Sequence, residues 1–215
     1  MSLTEEQHRA QKQAAMKAKR QARAQKQMNS TLDEEKALLV DQFHDFYQTM
    51  HHDPKKFLGF STKHYIQEIG DLVRRHRAKS LLDYGCGKGM QYLSLRAHDQ
   101  WEGVLPYCYD PGVRGLHKKP DGVFDGVICC DVMEHIPELL VSDVIEELFS
   151  YAEKFVFANI ALTPARKTLP NGQNAHVTLK SENWWRRKFD QARHEQEVLL
   201  LFSSDDQEKL ENEND

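Results

Sequence analysis

The chain has 215 residues, of which 40% are hydrophobic and 29% charged, with a formal net charge of −4. That length suits one core with some additional chain and excludes two full α/β domains. The charge excludes a uniformly basic nucleic-acid binder, although the average conceals opposed ends.

The N-terminal segment is a basic arm, with Arg9, Lys12, Lys17, Lys19, Arg20, Arg23 and Lys26 following only Glu5 and Glu6. Its Ala, Gln, Lys and Arg favour helix, but Leu3, Met16 and Met28 are too sparse for a packing stripe, so a frayed, solvated helix is expected over residues 1–30. Such an arm can be an electrostatic contact for RNA or an anionic membrane, or simply a solvated, partly disordered extension, and the last reading is favoured. Nothing approaches the roughly 20 apolar residues of a membrane span, and the first 29 residues lack the apolar middle of a signal peptide. A cytoplasmic protein is the expectation. Cys86, Cys108, Cys129 and Cys130 show no CxxC spacing and sit in or beside apolar runs, which reads as reduced thiols.

Leu39, Phe43, Phe46, Tyr47 and Met50 recur at three- and four-residue steps, as do Ile66, Ile69 and Val73, so two amphipathic helices precede the first strand. Between them, 51–60 contains Pro54 and Gly59 and is a connection. After Lys79, short apolar runs alternate with polar helical stretches, the pattern of an α/β fold with a parallel sheet. Strands are expected at 80–84, 104–109, 126–130, 155–160 and 198–202. The segment after Pro137 carries a wide apolar helical face, and Ser181 caps a helix bearing Trp184, Trp185 and Phe189, with at least one tryptophan buried. The domain expected from this pattern spans 31–203, with helices in 31–78 that lid the site and a core in 79–203. An acidic tail follows in 204–215.

The most informative segment is Leu81-Leu82-Asp83-Tyr84-Gly85-Cys86-Gly87-Lys88-Gly89, a hydrophobic strand running into three alternating glycines and then a helical stretch. Glycine there permits positive φ and removes the Cβ that would hold a ligand off, and a following helix N-terminus offers free N–H groups. The dinucleotide fingerprint fails because Met90 stands where its third glycine belongs, and no Gly-Lys-Ser/Thr of a phosphate loop is present. Asp110 ends the next expected strand, about twenty residues on, where an acid can accept both ribose hydroxyls of a nucleoside.

With these residues, the segment from Ser80 to about Leu162 resembles class I S-adenosylmethionine-dependent methyltransferases. The DxGxGxG loop (Asp83, Gly85, Gly87, Gly89), the acid Asp110 and the run Phe124 to Pro137 match that family's motifs in order. The resemblance implies a Rossmann-like, mostly parallel sheet with helices on both faces. It implies that Asp83, Cys86 and the glycines hold the methionine part, Asp110 the ribose, and Asp131 the region near adenine and sulfonium. Only residues 111–123 separate strand two from the next strand, too few for the helix, strand and helix of the full family, so an abbreviated sheet is expected.

Asp131, Glu134 and His135 have i, i+3, i+4 spacing, which places all three on one face of a helical turn, and His176 follows forty residues later. Two carboxylates and two imidazoles can hold a divalent cation, Mg²⁺ or Mn²⁺, that acidifies a substrate hydroxyl. The set resembles the acid-x-x-Glu-His run of O-methyltransferases of ubiquinone biosynthesis and small-RNA 3′-end modification. Against it stand a capping box from Asp131 to Glu134 and a metal-free base at His135 or His176. The reading favoured is O-methylation of a small-molecule or sugar-like hydroxyl. The alternatives are an RNA methyltransferase using the basic arm and a silent cofactor-binding partner subunit.

Overall fold

The computed structural model describes residues 5–54 and 56–204. The acidic tail from Asp205 onward, and the side chains of Arg9 and Lys12, lie outside the described residues. The chain divides into two units, one ending at Gln42 and one beginning at Phe43. The first is helical: α1 runs unbroken from Glu5 to His51, and Lys17, Lys19, Arg20, Arg23 and Lys26 are all exposed on it. No helix among the described residues is long and apolar enough to cross a membrane.

The second unit opens with the last turns of α1 and continues through a 3-10 turn at Ser61–Tyr65 and α2 (Ile66–His76) to β1 (Leu81–Tyr84). Then come α3 (Met90–Leu93), β2 (Tyr107–Tyr109), β3 (Phe124–Cys130), α4 (Glu138–Tyr151), β4 (Ala152–Ala161), α5 (Glu182–Ala192) and β5 (Glu197–Ser203). The five strands form one sheet in the order β2-β1-β3-β4-β5, and every neighbouring pair is parallel.

Period-two alternation divides the strand residues between two cores. Leu82, Tyr84, Val127, Cys129, Val156, Ala158 and Ile160 pack with Val141, Ile145 and Leu148 of α4 and Trp185 and Phe189 of α5. Leu81, Ile128, Cys130, Phe155 and Phe157 pack with Ile69, Leu72 and Val73 of α2 and with Trp101. Both faces are therefore covered, as a parallel sheet requires. Ser181 caps α5 by accepting from the Trp184 N–H, and Trp185 is fully buried, contributing about 2–3 kcal/mol by burial.

The expected strands are all present. The second is shorter than its apolar run, because Pro106 has no N–H to give to a ladder and pairing begins at Tyr107. Residues 111–123 contain only turns and bends, so β2 is the sheet edge and the abbreviation is real. All four cysteines are free, and three of them are buried.

Order reverses between β1 and β3: the chain leaves β1 for β2 on one side and returns to β3 on the other. A crevice at the carboxyl ends of strands flanking such a point is where open α/β sheets bind ligands. The residues just past Tyr84 and Cys130 are the glycine loop and the Asp131 turn. A third, smaller cluster of Met50, Leu169 and Ala175, with Phe43, Phe46, Tyr47 and Phe57 against it, joins the end of α1 to the 163–178 loop.

Candidate active site

The glycine loop is closed by the chain itself. Gly85 and Cys86 donate to the Tyr109 carbonyl at 2.7 and 3.1 Å, Gly87 to Asp110 Oδ2 at 2.9 Å, and Gly89 to the Cys86 carbonyl at 3.1 Å. Lys88, Met90 and Gln91 donate to the carbonyls of Phe57, Leu58 and Gly59 at 3.0, 3.0 and 2.9 Å. The Lys88 ammonium adds bonds to the carbonyls of Asp53 and Lys56. The expectation of free N–H groups at this helix start is therefore corrected: every amide from Gly85 to Gln91 has a partner within the chain. The glycines serve this strap. A Cβ on Gly87 would stand 2.7 Å from the Phe57 carbonyl oxygen, and one on Gly59 would stand 2.1 Å from the Cys86 carbonyl oxygen. Phe57 itself, with φ of 48°, holds a left-handed conformation that a bulky residue rarely takes.

Asp83 points inward, accepting from Gln91 Nε2 at 2.8 Å and the Tyr92 hydroxyl at 2.7 Å, and thereby anchors α3 to β1. Burial raises its pKa to about 7 against those two bonds. Asp110 ends β2 as expected. Its Oδ1 accepts from the Gly112 N–H at 2.9 Å, and burial raises its pKa. His51, the last residue of α1, lies against it. Beside this pair opens a cleft of about 400 Å³ lined by Gln48, His51, Lys88, Pro111, Gly112 and Val113, among others. A cleft of this size, lined by His51 and by Pro111 and Gly112 just past Asp110, has room for a nucleoside; the glycine loop, its amides satisfied, adds no free donor.

After β3 the chain turns through Asp131 at φ of 54° into a single 3-10 turn, Met133–His135, rather than an α-helical face. Glu134, His135 and His176 are brought together, each offering one ligand atom, and these atoms lie within 4.8 Å of one another. Asp131 does not join them. Its carboxylate is held by the Asn159 amide and by Ser61. The capping box does not form either, because the Glu134 side chain is fully buried with Oε1 accepting from the Ala161 N–H at 3.0 Å.

Hydrogen-bond partners fix the two imidazoles. Nδ1 of His135 lies 2.9 Å from the Ala175 carbonyl, and Nδ1 of His176 lies 2.5 Å from the Thr163 carbonyl. A carbonyl only accepts, so each Nδ1 carries the proton and each Nε2 presents a lone pair. Burial, reinforced by His176, pushes the pKa of His135 down to about 3. Glu134 Oε2 is buried with no hydrogen-bond partner, and burial followed by the Asp131 charge pushes Glu134 upward. Two imidazole lone pairs, backed by carbonyls, and one orphaned carboxylate oxygen form a donor set for a divalent cation.

Four further residues build this site, and no short motif marks them. Tyr47 places its hydroxyl 2.9 Å from His135 Nδ1 and 3.4 Å from the Ala175 carbonyl. Phe57 packs against Tyr47, His51 and His135, with the Lys167 ammonium 4.4 Å above its ring. Asn174 pins the 163–178 loop by accepting from the Ala165 and His176 N–H groups and donating to the Ala165 carbonyl. His51 is the fourth. Only the helical stripe containing Tyr47 carried a signal in the sequence, and that signal pointed to packing.

A family model described as a methyltransferase domain matches residues 50–209, which is most of the chain and includes every site residue above except Tyr47 and the cleft residue Gln48. No curated protein and no solved structure matches the chain. With that match laid over an all-parallel sheet carrying an acidic glycine loop, the chain belongs to the methyltransferase-domain family and is a class I S-adenosylmethionine-dependent methyltransferase.

Proposed function

We propose that the protein methylates a hydroxyl oxygen on a small-molecule or sugar-like acceptor, with Glu134, His135 and His176 at the reacting centre. The observation that carries this reading is the cluster of Glu134, His135 and His176, whose ligand atoms lie within 4.8 Å of one another, together with a Glu134 oxygen that has no hydrogen-bond partner among the described residues. S-adenosylmethionine supplies an activated methyl carbon, so the chain's task is alignment and removal of the hydroxyl proton. Asp110 would take the ribose, while Gly85, Cys86, Gly87, Gly89 and Asp131 shape the remainder of the crevice. Asp83 acts through α3.

Glu134, His135 and His176 would hold a divalent cation. Two nitrogens and one oxygen suit Mn²⁺ better than Mg²⁺. Such an ion lowers the pKa of a bound hydroxyl. In its absence Nε2 of His176 can accept the hydroxyl proton directly, since burial leaves His135 too weakly basic for that step, while Tyr47 and the Ala175 carbonyl hold the His135 ring against His176.

The test is methyl transfer from S-adenosylmethionine to a panel of polyhydroxylated acceptors, with and without EDTA and with Mn²⁺ or Mg²⁺ restored. EDTA-sensitive transfer to oxygen, restored by Mn²⁺, supports the reading. Transfer only to nitrogen or carbon acceptors would overturn it.

A second reading rests on the exposed row Lys17, Lys19, Arg20, Arg23 and Lys26 along α1. This row would give an RNA acceptor a salt-dependent contact. Deleting residues 1–29 should then weaken RNA methylation and flatten its salt response. Unchanged turnover and salt response would count against it.

A further inference from the structure

His51 is held from two sides. Gly112 has no side chain where the imidazole lies, since a Cβ there would stand 2.6 Å from Cδ2, and the Phe57 ring packs on it at 4.9 Å. The imidazole is thus placed by packing, not by hydrogen bonds. Nε2 is 3.6 Å from Asp110 Oδ1, too long for a direct hydrogen bond, and Nδ1 is buried with no hydrogen-bond partner among the described residues. The side chain is only 6% exposed. No hydrogen bond to the described residues ties the ring down, and Nε2, the nitrogen turned toward Asp110, is the one that a ligand beside that carboxylate meets.

The neighbouring cleft supplies the place for that group, because His51 lines it together with Pro111, Gly112 and Val113. Asp110 offers acceptors only, and both its oxygens already receive one backbone N–H each. An imidazole beside it contributes what a carboxylate lacks: a nitrogen, Nε2, that donates or accepts according to the tautomer. A vicinal diol matches this pair. One hydroxyl donates to the carboxylate while either hydroxyl exchanges a hydrogen bond with the ring. Burial pushes the His51 pKa down in spite of Asp110, which keeps the ring neutral and leaves it both donor and acceptor.

We propose that His51 is a cofactor-binding residue that grips the ribose diol jointly with Asp110, a role resting on the reading of Asp110 as the ribose acid. The experiment is calorimetric titration of the full chain with S-adenosylhomocysteine and with its 2′-deoxy and 3′-deoxy analogues, comparing the unaltered protein with His51→Ala. The expected result is about a tenfold loss of S-adenosylhomocysteine affinity in the variant, within the reach of one hydrogen bond to a buried group. At least one deoxy analogue should lose less than about threefold on the same substitution. Equal losses for all three ligands would overturn the proposal, because His51 would then act through packing alone. If His51→Ala does not fold, His51→Phe, which keeps a flat ring but neither donor nor acceptor, takes its place, with the same expected result: about a tenfold loss for S-adenosylhomocysteine and less than about threefold for at least one deoxy analogue, equal losses again overturning the proposal. Absence of S-adenosylhomocysteine binding by the unaltered chain is a separate outcome. It would remove the ribose reading of Asp110 itself, and His51 with it.

Discussion

The Tyr47 hydroxyl stands 2.9 Å from Nδ1 of His135, joining the end of α1 to the turn after β3 across 88 positions of sequence. The Ala175 carbonyl already takes the Nδ1 proton, so the phenol oxygen shares that proton while its own hydrogen reaches toward the same carbonyl at 3.4 Å. Burial, with Glu134 and Asp110 nearby, pushes the Tyr47 pKa upward, and the hydroxyl stays protonated at any working pH. Tyr47 is therefore a positioning residue.

Tyr47→Phe should lower kcat by about tenfold, the scale seen when a group supporting a site imidazole is removed, with acceptor KM changed less than about twofold. Affinity for S-adenosylhomocysteine should be unchanged. A drop in KM-normalised and cofactor affinities together, or a loss of stability beyond about 1.5 kcal/mol, would assign Tyr47 to packing instead.

Much of this architecture is legible in the chain because burial imposes a period. Leu81 and Leu82 face opposite cores, as do Val127 and Ile128, and runs of that kind locate a strand without reference to its partners. The site is legible only where its residues are close in sequence. Glu134 and His135 are adjacent, and His176 follows a strand whose end is predictable. Asp131 misleads because i, i+3, i+4 spacing implies a shared face only in an α-helix. Its left-handed backbone and the 3-10 turn after it send its carboxylate to Asn159. Tyr47, His51 and Phe57 enter through tertiary contact from the N-terminal side, which no local spacing encodes. The glycine loop was legible as a place of close approach, yet the backbone that approaches is that of 57–59.

The partly buried His135 imidazole gives a pH dependence of definite sign. His135 has a folded pKa near 3 against 6.5 when exposed, so below pH 6.5 the unfolded chain binds the extra proton. Stability contributed by the neutral ring is present above pH 6.5 and is lost as pH falls toward 3, at up to about 1.4 kcal/mol per pH unit. Asp83 and Glu134, pushed upward by burial, slope the opposite way. Urea unfolding of the unaltered chain and of His135→Gln across pH 4–8 separates them: the variant should lose less stability on acidification. Parallel curves would contradict a neutral buried His135.

Gly87→Ala should destabilise the protein by about 2 kcal/mol or more. A Cβ at this position meets both a φ of 57° and the Phe57 carbonyl oxygen at 2.7 Å, and that oxygen belongs to backbone already bonded to Lys88. Gly172→Ala is the internal control, since its φ is 85° but nothing lies within 4 Å of a Cβ there, leaving only the conformational cost of about 1 kcal/mol. Denaturant midpoints at constant m-value measure both. Equal losses would mean that the strap yields easily and does not close the loop.

Glu134→Gln separates the metal-holding reading from a purely structural one. Oε1 of Glu134 ties β4 through the Ala161 N–H, a bond the glutamine carbonyl can keep, whereas Oε2 has no hydrogen-bond partner among the described residues. The variant should therefore fold with stability close to that of the unaltered protein and differ in its response to Mn²⁺. A ligand bound only by the folded state adds about 2.7 kcal/mol at one hundred times its Kd, so the melting temperature of the unaltered chain should rise steadily as Mn²⁺ is added. In Glu134→Gln and in His176→Ala the rise should vanish, because each removes one of three clustered donors. Asp131→Asn should retain it, since Asp131 lies outside the cluster. An Mn²⁺ response equal in all four proteins would place the ion elsewhere, and no response in any would leave Nε2 of His176 as the base that takes the hydroxyl proton.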